Sequence, residues 1–106
     1  MSLIVTTGNE VAGREIRQYL GVVRGLVVRA PNLGQTLLGS LRTLGGGNIT
    51  EFTSVCEAAR QEAYDLLVRH AQQLGADAVI GMRYDATEFY QNATEVLAYG
   101  TAVRLS

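Results

Sequence analysis

The 106-residue chain has no lysine and no tryptophan, and a single cysteine, a single histidine and a single proline. Each shortage excludes something. A lone cysteine cannot close a disulfide within the chain, and with a lone histidine it cannot supply the three or four ligands of a zinc site. Any metal would have to be held by oxygen ligands or by symmetry-related copies. Nine arginines against ten acidic residues leave a net charge of −1, which gives no electrostatic basis for gripping a nucleic-acid backbone. No apolar run approaches the roughly 20 residues of a membrane span, and no basic segment opens a secretory signal. Cytoplasm is the expected compartment and no membrane partner is expected. Met1-Ser2-Leu3 is compatible with an expression leader ahead of the strand-like Ile4-Val5-Thr6-Thr7.

What is present is a globular composition, 47% apolar and 18% charged, of a length that makes one domain over residues 1–106. Tyr19 to Arg29 is rich in β-branched residues and predicts a long strand. Its even positions Leu20, Val22, Leu26 and Val28 share one apolar face, with Arg24 as the exception. Gly21 and Gly25 fall on the other face, where a missing side chain points to a bulge, a bend or the close approach of another backbone. Asn32 and Gln35 form a capping pair ahead of Leu33, Leu37, Leu41 and Leu44, which predicts a first helix ended by Gly45-Gly46-Gly47. Asn48 and Glu51 repeat the device before the longest periodic run. That run places Phe52, Val55, Cys56, Ala59, Ala63, Leu66, Leu67, His70 and Leu74 on one helix face, closed by Gly75. Segments 78–90 and 94–105 alternate around Gln91-Asn92 and predict a β-hairpin in which opposite residues sum to 183, or to a value shifted by an even number. The even face Ala78, Ile80, Met82 and Tyr84 then lies beside Val103, Thr101, Tyr99 and Leu97, and Glu88 faces Glu95. The expected class is α+β, an antiparallel sheet with a long strand and a C-terminal hairpin packed on two helices.

Chemistry-bearing residues are few. Cys56 and His70 share a helix face, but fourteen residues of helix separate them by about 21 Å. They cannot ligate one metal or form a nucleophile–base pair within a copy; a small buried thiol and a packed imidazole is the simpler expectation. A ring of identical residues about an oligomer axis is the surviving soft-metal arrangement. The triple glycine before a capped helix lacks the strand and the Lys-Ser/Thr of a phosphate loop. Tyr19, Tyr64, Tyr84, Tyr90 and Tyr99 could line a pocket with Arg83 and Asp85, although tyrosines on strands mostly pack with a wet hydroxyl.

Taken in order, Ile4-Val5-Thr6-Thr7, Tyr19-Leu20-Gly21-Val22-Val23 with Gly25, Gly46-Gly47, the run Leu74-Gly75-Ala76-Asp77-Ala78-Val79-Ile80-Gly81 with Asp85, and Gly100-Thr101-Ala102-Val103 make the chain resemble the YbjQ-like family. That family is associated with heavy-metal binding and is otherwise uncharacterised. The resemblance implies a dodecin-subunit-like α+β fold, assembly as a homopentamer and a divalent or heavy metal ion as ligand. Asp77 and Asp85 are the acidic residues that match, and with Cys56 and His70 they form the candidate metal set. Asp77, following Gly75, is equally a turn residue. The leading expectation is a non-enzymatic homopentamer whose partner is itself. The alternative is a small-ligand-binding protein or enzyme with an inter-subunit pocket formed by Arg83, Tyr84, Asp85 and Tyr99.

Overall fold

A computed structural model describes residues 2–29, 49–90 and 93–106. Five elements follow in order: β1 (Ile4–Val5), β2 (Ile16–Arg29), α1 (Ile49–Gln73), β3 (Ala78–Tyr90) and β4 (Ala93–Leu105). The strands form one sheet in the order β1-β3-β4-β2, with β1 parallel to β3 and the other pairs antiparallel. This corrects the expected architecture. The sheet is mixed, because Ile4 and Val5 pair in parallel with Ala78 and Val79. A dodecin-like layout built on a purely antiparallel sheet therefore does not describe this chain, and among the described residues one helix covers the sheet. The helix expected over Leu33 to Leu44, the triple-glycine corner and the turn residues Gln91 and Asn92 lie outside the described residues.

Ala59, Ala63, Leu67 and Ala71 recur at every fourth position of α1 and are all buried. Four-residue spacing keeps them in one line, and the three alanines let the helix axis come close to the strands. The strand beneath supplies Val23, Gly25 and Val27. A Cβ on Gly25 would overlap the Ala63 carbonyl oxygen and stand 2.6 Å from the Leu67 nitrogen. The glycine is there because backbone meets backbone, one of the three expectations for it. The expected sidedness of β2 is inverted: the odd positions are buried under α1, while Val22, Leu26 and Val28 are exposed. Gly100 in β4 completes the fit on the other side, since a Cβ there would lie 2.6 Å from Val79 Cγ1.

The helix ends as its sequence predicts. Gly75 takes φ +76°, its N–H donates to Gln72, and the Ala76 N–H reaches back to the Ala71 carbonyl, the paired bonds of a Schellman cap. Ala78 then pairs with Val103 and Ile80 with Thr101, sums of 181 that keep the expected faces together. The register slips by one residue between Ile80 and Arg83, at Gly81 with φ +61°. From there Arg83 faces Tyr99, Tyr84 faces Ala98 and Asp85 faces Leu97. Met82 and Tyr84 therefore leave the face of Ile80, and Glu88 lies opposite Thr94, not Glu95. A second slip restores the sum of 183 at Tyr90 and Ala93. In β2, Gly21 takes φ +113° at a shift between Tyr19 and Gly21. Bulges like these are invisible to strict alternation because each moves every later side chain to the other face.

Because Gly25 admits no Cβ, Gly25→Ala should cost about 2–3 kcal/mol, read as a lowered urea midpoint. Gly8→Ala, whose added carbon would make ordinary contacts, should stay within about 0.5 kcal/mol.

Candidate functional site

The sheet has two unlike faces. One carries Val23, Gly25, Val27, Val96, Ala98 and Ala102 beneath α1. On the other, Ala78, Ile80, Val103 and Leu105 form a small cluster covered by Val11 and Ile16. Beyond that cover no described residue crosses the second face. Tyr19, Val22, Leu26 and Val28 of β2 and Tyr99 of β4 are between 37% and 69% exposed, and the partly buried Leu97 stands opposite Leu26. Monomeric proteins rarely leave so many large apolar side chains side by side.

The sequence-derived candidates do not converge in one copy. Arg83, Asp85 and Tyr99 lie on the open face, whereas Tyr84 lies on the helix side, where Arg60 sits 5.4 Å from its ring centre. Arg83 Nη1 donates to the carbonyls of Thr7 and Met82, at 2.9 and 2.8 Å. It holds the segment after β1 against β3. Asp85 is exposed and accepts from the N–H of Ala86. The Tyr90 side chain lies outside the described residues.

Asp77 is half-buried, and its Oδ2 accepts the Leu105 N–H at 2.9 Å. Its backbone N–H donates to Val103 and its carbonyl accepts from Ile4. It is thereby a structural turn residue joining β1, β3 and β4. Cys56 is exposed, which corrects the expectation of a buried thiol. His70 is partly buried and its Nδ1 accepts the Arg24 N–H at 3.2 Å, so its remaining proton sits on Nε2 in the neutral ring. Cys56, His70, Asp77 and Asp85 thus lie in separate surroundings. No group of three or more histidine, cysteine or acidic side chains among the described residues is placed to hold a metal. A metal does not fit the described residues of one copy. Leu3, in the stretch compatible with a leader, packs against the main core.

Sequence reasoning missed two features. One is His70 as a cap on the edge of β2, which periodicity could not show because the bond spans 46 positions. The other is the Tyr84 environment. Burial raises the phenol pKa above 10.0, Tyr64 and the carboxylates of Glu57 and Asp65 add to the rise, and Arg60 opposes it. With the folded value above the unfolded one, the contribution to stability is complete below pH 10 and is lost as pH rises through the folded value. An alkaline absorbance titration should show a tyrosine component ionising above pH 10 that disappears in Tyr84→Phe. Asp77→Ala, which strands the Leu105 N–H, should cost about 1–3 kcal/mol in chemical unfolding.

With this geometry in view, comparison with known proteins is informative. Residues 3–106 match the YbjQ family model, described as "Putative heavy-metal-binding". A UPF0145 protein of Legionella pneumophila (strain Corby) is 52% identical over 103 residues, covering 97% of this chain and 98% of the relative. A UPF0145 protein of Chromobacterium violaceum is 57% identical over 102 residues, covering 96% and 87%. Among solved structures, a protein with unknown function of the DUF74 family from Pediococcus pentosaceus superposes with a TM-score of 0.63 at 20% identity, covering 98% of each chain. That likeness is one of fold. No described helix is long and apolar enough to cross a membrane. The match across residues 3–106, joined to relatives more than half identical over nearly their whole length, places this chain in the YbjQ family of UPF0145 proteins.

Proposed function

We propose that this protein is a non-enzymatic, homo-oligomeric binding protein of the cytoplasm. In this reading it is built as the homopentamer that the family resemblance implies, and its surfaces act between copies. The observation that carries the reading is the open apolar face of the sheet, where Val22, Leu26, Val28 and Tyr99 lie exposed. A second copy gives such a face somewhere to be buried, and closed symmetric assemblies are the usual outcome for soluble chains. Heavy-metal binding, the property by which the family is described, has no residue set among the described residues of one copy. It belongs, in this reading, to ligands that symmetry repeats. A second reading, a small-ligand pocket closed by a neighbouring copy, draws on one observation, that Arg83, Asp85 and Tyr99 share the open face.

Native mass spectrometry of the wild-type chain should show a species five times the 11.4 kDa subunit. Val22→Lys should dissociate it while leaving the circular-dichroism spectrum intact. A monomeric wild type would refute the assembly. Zinc or cadmium added before desalting should be retained at fewer ions than chains, and Cys56→Ala combined with His70→Ala should abolish retention. Equal uptake by the dissociated Val22→Lys chain would contradict a site made between copies.

A further inference from the structure

Among the described residues, the two outer edges of the sheet are blocked to the same level and unpaired above it. On β3, the N–H groups of Gly81 and Met82 are taken by the carbonyls of Gly8 and Thr6, and the Arg83 side chain holds Thr7. From Tyr84 to Tyr90 no described strand pairs with that edge. On β2, His70 takes the Arg24 N–H. Pairing with β4 runs without a shift from Gly21 to Arg29, so strand alternation turns the N–H groups of Leu26 and Val28 outward as well. Arg24 and Arg83 both face Tyr99, which puts the two blocks at one height. The open stretches, Leu26–Arg29 and Tyr84–Tyr90, therefore also lie at one height and run in the same direction.

Their charges are opposite. The cleft along the β2 edge, about 340 Å³, is lined by Arg24, Leu26, Leu66, Arg69, His70 and Gln73, with no acidic side chain. The β3 edge carries Asp85 and Glu88. Asp85 stands level with Leu26 through Leu97, and Glu88 level with Arg29 through Thr94. A β3 strand placed beside β2 so as to continue the sheet would set Asp85 diagonal to Arg24 on the open face; on the helix side Glu88 would come level with Arg29, which already pairs with Glu62 of its own copy at 3.3 Å.

We propose that the open edge of β2 receives the open edge of β3 from a second copy as a parallel strand, with Arg24 facing Asp85 of that copy. This rests on the homo-oligomer reading above and adds to the open face a second contact, at the sheet edges. The contact joins unlike surfaces, so each copy both gives and receives a strand, the head-to-tail arrangement from which rings are built, and it pairs the two open stretches. The main-chain bonds supply attraction, and the two blocks fix the register.

Sedimentation velocity on the full chain tests it. Arg24→Glu and Asp85→Arg should each weaken association about tenfold, because each turns cross-strand attraction into repulsion. The double variant should return to within about threefold of wild type. Leu26→Pro removes an outward donor at an edge position where proline is tolerated and should dissociate the assembly with the circular-dichroism spectrum retained. If Leu26→Pro does not fold, the charge-reversal set decides alone. Single reversals that leave the assembly intact, or a double variant that stays dissociated, would overturn the edge contact while the homo-oligomer stands. A wild-type chain that is monomeric at every concentration would overturn both.

Discussion

Backbone-to-backbone contact between α1 and β2 at Gly25 governs the rest of the molecule. The Ala63 carbonyl and the Leu67 nitrogen occupy the space a side chain would need, which draws the helix over β2 and β4. Ala59, Ala63 and Ala71 bury little volume each, and Leu67 is the one large side chain in their line, so this seam gains much of its stability from closeness of packing. One consequence is lateral. A helix centred on β2 and β4 leaves β3 thinly covered, and Tyr84 remains 40% exposed beneath it. The other is that one helix layer can serve only one sheet face.

The second face follows from this asymmetry. At one end Val11 and Ile16 fold across Ala78, Ile80, Val103 and Leu105. The Ser106 N–H, donating to the Glu15 carbonyl, and Arg14, donating to the Ser106 carbonyl, secure that end. At the other end nothing among the described residues crosses the apolar side chains of β2 and β4. The polar residues that invite a catalytic or metal reading, Asp77, Arg83 and His70, are each engaged by backbone partners. Their chemistry within a copy is spent on joining strands, the helix and the edges.

Much of this architecture was legible in the sequence. The long helix with its Gly75 cap, the long β2 strand, the C-terminal hairpin and the close approach at Gly25 all announce themselves through spacing and residue type. Sidedness was not legible. Val22, Leu26 and Val28 are as apolar as Val23 and Val27, and a strand apolar on both faces does not say which is covered. The one-residue slip at Gly81 also escaped: it moved Tyr84 off the face of Ile80 and Tyr99 and set Arg83 opposite Tyr99 in its place. The parallel pairing of β1 rests on two residues, too short a segment to carry a pattern. For the candidate site, residue types pointed to Cys56 and His70, but tertiary neighbours decide what such groups do. An edge-strand amide 46 positions away claimed the imidazole.

The strand order has a consequence for how the chain is made. β4 is the last element in sequence, yet it lies between β3 and β2 and pairs with both along most of their length. Until it emerges from the ribosome, β2 and α1 have no sheet to complete, and two long apolar strands wait unpaired. Sequence-distant pairing of this kind makes folding slow and places it after synthesis of the final strand. During that interval the unpaired edges of β2 and β3 are the surfaces at which pairing with a wrong neighbour competes with completion of the sheet.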